Sequence, residues 1–250
     1  MSLLRAERVS CFFGNLRAVH EMSVSIAPGE LRALIGANGA GKTTFFNLLS
    51  GFVAPTSGRV VFDGLDITSH APHERVSMGI ARTFQITEIF PELTLQENLR
   101  IPVEVAAGLR LRPWLARAAS RAIESSIDEL LELGKLTDKA RRLAGELSHG
   151  DQRTTEILMA LALRPRLLLL DEPTAGMGDQ ETYDITELIR RLHRERSLSI
   201  LLVEHDMRVV FRLADRIMVM AEGALLAEGT PAQIAADERV QKAYLGDAQA

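Results

Sequence analysis

The sequence has 250 residues, 46% hydrophobic and 25% charged, ordinary proportions for a globular chain that buries a sizeable core. A net charge of -4 excludes the basic surplus usual in nucleic-acid binders, and a single cysteine, Cys11, excludes an internal disulfide. No apolar run reaches the roughly 18 residues that a bilayer span needs, and Arg5, Glu7 and Arg8 come too early for a signal peptide, so any membrane role is expected to be peripheral.

Residues 3–13 and 22–26 read as short strands, joined through Gly14-Asn15 and closed by Pro28-Gly29. Phe13, an aromatic beside a glycine, either stacks on an adenine ring or packs in a core; its spacing does not separate the two. Residues 31–35 form a buried strand and 45–50 a helix. Between them runs Gly36-Ala37-Asn38-Gly39-Ala40-Gly41-Lys42-Thr43-Thr44. At a strand-to-helix turn this stretch is a phosphate-binding loop. Its amides curl round a polyphosphate, the helix N-terminus adds unpaired donors, Lys42 reaches the β- and γ-phosphates, and the Thr43 hydroxyl ligates Mg²⁺. A turn at 55–58, a strand at 59–64 and a helix at 72–78 follow. His70 and His73 have a spacing that metals sometimes use, but no further ligands accompany them and they read as solvated.

Residues 80–85 are a brief apolar run ending in Gln85. Composition then changes: over 93–147 Ala, Leu, Glu and Arg recur at helical spacing, with Ile123, Ile127, Leu130 and Leu131 on one face. This is a helical subdomain inserted into an α/β chain. Arg100, Arg110, Arg112, Arg117 and Arg121 stand against only Glu104 in its first part and read as a solvated face rather than a membrane contact. Beyond it, Ser148 and Asp151 have capping-box spacing for a helix over 151–163, and such a helix start doubles as a second anion site, suited to a γ-phosphate held by another subunit. Residues 167–170 are a buried strand that delivers Asp171 for a Mg²⁺ shell and Glu172 to polarise water. Residues 199–203 deliver His205 to the same sheet edge.

In this order, these motifs resemble those of ATP-binding cassette (ABC) transporter ATPase subunits over essentially the whole chain. The resemblance implies one α/β domain over 1–250: a P-loop NTPase core (1–92 and 148–250) with an antiparallel β subdomain, and an inserted α-helical subdomain at 93–147. It implies ATP and Mg²⁺ as cofactors. Phe13 would stack on adenine, Gly36 to Thr44 would hold phosphates, and Thr43, Gln85 and Asp171 would hold the metal. Glu172, His205 and Gln85 would act in hydrolysis, and Ser148, His149, Gly150 and Asp151 would cover the ATP of a partner subunit.

Within that family the chain is most similar to branched-chain amino acid importers, on residues 14–19, 81–85, 172–177, 203–207 and 243–246. That similarity implies an ATPase at the cytoplasmic face of the membrane, with integral membrane permease subunits, a second ATPase subunit and a solute-binding protein as partners, and no nucleic acid. Urea-type importers share these features, and lipopolysaccharide exporters share part of them. Three positions depart from the family pattern: His149 replaces a glycine, Asp151 a glutamine, and Gly178 an aspartate that couples the two sites of a dimer. Whether Asp179 takes over that coupling is left open by the sequence.

Overall fold

The run Leu167-Leu168-Leu169-Leu170 divides its side chains between two apolar clusters, Leu168 and Leu170 in one, Leu167 and Leu169 in the other. A strand that is apolar on both faces must lie inside a sheet covered on both sides, and this one does. The computed structural model describes residues 2–83, 89–108 and 113–245.

The chain opens with an antiparallel hairpin, β1 (Leu4–Phe13) and β2 (Leu16–Ile26). β2 begins six residues before the expected 22–26. Pairing of Leu16 with Phe13 and of Arg17 with Phe12 carries the polar start of the strand, where apolar alternation gives no signal. β3 (Leu31–Gly36), buried throughout, leads through the phosphate loop into α1 (Lys42–Ser50). This helix starts ahead of the expected 45–50 because Phe45 N–H already donates to Gly41 O at 2.9 Å. β4 (Ser57–Phe62) and β5 (Leu65–Asp66) complete a four-stranded sheet in the order β2-β1-β4-β5. α2 (Pro72–Met78) matches its expected span, with proline in its first turn and left-handed Gly79 after its end. β6 (Ile80–Arg82) follows.

The insert contains α3 (Leu95–Ala106), α4 (Pro113–Leu133) and short 3₁₀ turns at Thr137–Lys139 and Ala144–Glu146. Thr94 and Glu97 cap α3 reciprocally. Ile123, Ile127, Leu130 and Leu131 are all buried, against Leu95 and Leu99 of α3. Arg100 pairs with Glu104 and Glu124, and Arg121 is exposed. Arg110, Arg112 and the Arg117 side chain lie outside what the structure describes.

α5 (His149–Ala162), β7 (Leu167–Asp171), α6 (Asp179–Arg196), β8 (Ser199–Val203) and α7 (Met207–Leu213) return the chain to the core. β9 (Arg216–Ala221), β10 (Ala224–Gly229), α8 (Pro231–Ala236) and α9 (Glu238–Leu245) finish it. The second sheet has the order β10-β9-β3-β8-β7-β6, parallel except for its β10 edge. On one face Phe45, Phe46, Leu48 and Leu49 of α1 join Leu34, Leu169 and Leu201, together with the first sheet. On the other, Ile157 of α5 and Ile189 of α6 join Leu170 and Ile200. Each fully buried leucine is worth about 1.5–3 kcal/mol relative to exposure, and that burial holds the carboxyl ends of β3, β7 and β8 in register.

Candidate active site

The turns after β3, β7 and β8 meet at one edge of the parallel sheet, where ligands of such sheets bind. They enclose a cavity of 640 Å³ lined by Asn38 to Thr44 together with Glu172 and His205. Gly41 permits the loop. It sits at φ 95°, and a Cβ there would stand 2.3 Å from Ala18 O of the hairpin. The hairpin also contributes Leu16, Arg17 and Ala18 to the cavity wall. Phe13 pairs with Leu16 across β1 and β2 and is 52% exposed at the rim; it does not itself line the cavity.

The Lys42 side chain is folded onto its own loop. Nζ donates to Gly36 O at 2.8 Å and to Ala37 O at 3.0 Å. Burial lowers its pKa, and the nearby charges of Glu172 and Asp171 oppose that shift.

Asp171 is fully buried at the end of β7. Its Oδ2 lies 3.3 Å from Arg82 Nη2, while Oδ1 has no hydrogen-bond partner. Burial pushes the carboxyl up from its ordinary value, with Arg82 pulling the other way. An orphaned, buried carboxylate oxygen beside a phosphate loop fits a hard divalent cation, for which oxygen donors are the normal ligands. Thr43 lines the phosphate-loop cavity, and fully buried Asp171 lies behind its wall at Glu172. Gln85 lies outside the described residues.

Glu172 has a left-handed backbone, φ 47°, which is sparsely populated for a non-glycine residue and persists only when its surroundings enforce it. Three contacts do so. Its N–H donates to Val203 O at 2.9 Å, and Arg153 Nη2 donates to the carbonyl oxygens of Asp171 at 2.6 Å and Glu172 at 3.1 Å. The Glu172 Oε1 then lies 2.8 Å from His205 Nε2. Buried Glu204 fixes the histidine's own turn. Its Oε2 accepts from His205 N–H at 2.9 Å, and its Oε1 from the Thr174 N–H and hydroxyl at 3.0 and 2.5 Å.

Arg153, Thr174 and Glu204 were not anticipated from the sequence. The contacts by which they hold the turns of the site run 18 to 30 residues along the chain, and nothing local signals those. A charged residue following four apolar strand positions, as Glu204 does, is the one available cue.

Ser148 caps α5, its Oγ accepting from Asp151 N–H at 3.2 Å. The helix therefore begins at His149, two residues before the expected start, and the reciprocal half of a capping box is absent. Asp151 is tied instead to Lys139 Nζ at 2.7 Å. The His149 ring reaches the 175–178 loop, where a Cβ on Gly176 would be 3.9 Å from Nε2. Asp179, far from taking an inward position, is 3.5 Å from Arg208 with its side chain almost fully exposed. Ser148, Gly150 and Asp151 line a separate cavity of 570 Å³ with Glu181 and do not share the cavity of the phosphate loop. No helix among the described residues is long and apolar enough to cross a membrane.

A phosphate loop on a central parallel strand, facing a buried acid and an adjacent Glu-His pair, is the site of a nucleotide-hydrolysing P-loop ATPase. Residues 19–175 match the ABC transporter family model, and residues 224–250 match the model for branched-chain amino acid ATP-binding cassette transporters. The chain is 40% identical, over 98% of both chains, to the high-affinity branched-chain amino acid transport ATP-binding protein BraF of Pseudomonas aeruginosa. It is 39% identical, over the same shares, to the corresponding protein LivG of Escherichia coli. The ADP conformation of an ATP-binding cassette of an ABC transporter superposes with TM-score 0.85 at 30% identity, covering 98% of this chain and 99% of the other. The chain belongs to the ABC transporter family as one of its ATP-hydrolysing cassettes.

Proposed function

We propose that this chain binds MgATP at the 36–44 loop and hydrolyses it to drive import of branched-chain or closely related amino acids. It would do so at the cytoplasmic membrane face, with integral permease subunits, a second ATPase subunit and a solute-binding protein. The match of residues 224–250 and the relatives' transport role support the solute class. The observation that carries the catalytic reading is the 2.8 Å contact of Glu172 with His205 in the wall of the phosphate-loop cavity.

In this reading residues 1–92 and 148–250 form the nucleotide core and 93–147 the insert. Phe13 stacks on the adenine from the rim. The amides of Gly36 to Thr44 hold the phosphates, and Lys42 exchanges two neutral carbonyl partners for charged phosphate oxygens, a stronger set of bonds. Thr43, Asp171 and Gln85 would hold Mg²⁺, which when bound neutralises charge on the β- and γ-oxygens. Glu172 accepts from the attacking water, and His205 fixes that carboxylate by holding Oε1. Water adds to the γ-phosphorus as its bond to the β-phosphate oxygen breaks, leaving ADP and inorganic phosphate. Ser148, His149, Gly150 and Asp151 of each subunit cover the nucleotide of the other.

The test is uptake. Proteoliposomes holding the full transporter should take up labelled leucine, isoleucine or valine only with ATP, and Lys42→Ala should abolish it. ATP-dependent uptake of none of these would remove the solute assignment; uptake unaffected by Lys42→Ala would remove this chain as the motor.

A further inference from the structure

The first turn of α5 carries N–H groups that its own helix cannot satisfy. Ser148 Oγ takes that of Asp151. The one on Gly150 is taken from 31 residues away: Glu181 Oε1, in the first turn of α6, accepts it at 3.2 Å. A carboxylate oxygen has the charge and acceptor geometry of a phosphoryl oxygen, so an anion already sits on a donor that an arriving γ-phosphate needs. The fit is close. A Cβ at position 150 would stand 2.9 Å from that Oε1 and 3.1 Å from Cγ and Cδ, so any larger residue here would push the carboxylate aside.

The other oxygen of the same carboxylate accepts from Gly178 N–H at 3.4 Å. One side chain thus joins the start of α5 to the loop that leaves Glu172, at the position where a glycine has no side chain to make such a link. Asp179 faces Arg208 instead. Among the described residues no lysine or arginine forms an ion pair with Glu181, so the two amides hold it, next to a cavity large enough for it to swing into.

We infer that Glu181 is an internal stand-in for the γ-phosphate: it occupies the Gly150 amide in the separate subunit, and ATP bound by the partner subunit must displace it for the two to close. The inference rests on the shared-site reading above and names how that site is regulated. Two anions cannot accept from one N–H. A terminal phosphate carries up to about two negative charges and also engages the Ser148 hydroxyl, so it outcompetes a carboxylate, while ADP brings no such group to the site. Displacement also releases Gly178, so arrival of ATP at one site loosens the loop that follows Glu172 of the other.

The experiment is sedimentation velocity of the Glu172→Gln chain, alone and with the second ATPase of its transporter, across ATP and ADP concentrations. Adding Glu181→Ala should lower the ATP concentration for half-maximal dimer by about ten-fold, the worth of one charge-assisted bond. Glu181→Gln, which keeps the shape without the charge, should fall between. In the ATP-free monomer the Gly150 amide should exchange its hydrogen faster in Glu181→Ala. If Glu181→Ala lowers the melting temperature, the isosteric Glu181→Gln decides: tighter association supports the inference. Association unchanged or weakened in that variant overturns it while the shared site stands. A Glu172→Gln parent that forms no dimer with ATP in either format overturns the shared site, and this inference with it.

Discussion

Arg153 lies in the second turn of the helix that Ser148 begins, yet its guanidinium is spent on the backbone of the turn that carries Glu172, at 2.6 Å from Asp171 O and 3.1 Å from Glu172 O. The helix that would cover a partner's nucleotide and the acid that would activate water are therefore parts of one rigid unit.

Arg153 also pairs with buried Glu156. Arg153→Ala should destabilise the chain by about 3–5 kcal/mol, because it removes one member of a buried ion pair together with its bonds to three backbone carbonyls. The double variant Arg153→Met, Glu156→Leu should recover most of the loss in denaturant titrations. It should not recover turnover, since two of the three contacts that hold the φ 47° backbone of Glu172 stay lost. Full recovery of phosphate release in the double variant would show that Arg153 serves stability alone.

Glu172→Gln should keep ATP binding while turnover falls by roughly 10² or more, and Lys42→Ala should weaken the binding itself. Nucleotide titration and phosphate release separate the two effects. Near-normal turnover in Glu172→Gln would remove it from the reaction.

Asp171 carries a stability cost that follows from its raised pKa. In the folded chain its carboxyl holds a proton to higher pH than in the unfolded chain, so the penalty is absent at low pH and grows as pH rises through the folded value. Asp171→Asn should therefore melt higher than the parent at neutral pH without nucleotide or Mg²⁺. The difference should shrink as the solution is acidified. The same variant should lose the tightening of ATP binding by Mg²⁺. A melting difference that is flat with pH would place the penalty elsewhere.

Residues 85–99 are expected to dock a cytoplasmic helix of the permease. Glu88 lies outside the described residues, but exposed Glu92 follows half-exposed Phe90, whose backbone N–H and carbonyl are both held by Asn98. Glu92→Arg and Phe90→Ala should uncouple transport and leave the basal ATPase of the isolated subunit unchanged. Equal loss of both activities would point to misfolding.

The parts of the chain visible in sequence are those whose signal is local. Residues 167–170 and 200–203 announce themselves by unbroken apolarity, and the 36–44 loop by spacing. The start of β2 is polar and exists through its partner strand. The contacts that set the site are long in sequence and polar: Arg82 to Asp171 spans 89 residues, Glu204 to Thr174 spans 30, and Glu181 to Gly150 spans 31. A charged side chain in a helix gives no hint of which distant amide it will find.

The four leucines of β7, shared between two cores, say nothing about where along the sheet the strand should stop. Sliding β7 by one residue would exchange its two faces and put leucine where leucine already was. Polar groups at its end settle the matter: Asp171 is the β7 side chain that meets Arg82, and the carbonyls of Asp171 and Glu172 both accept from Arg153. The acids read as catalytic thus also act as the strand's index mark, and a chain that lost them could fold with its most buried strand one notch out of place.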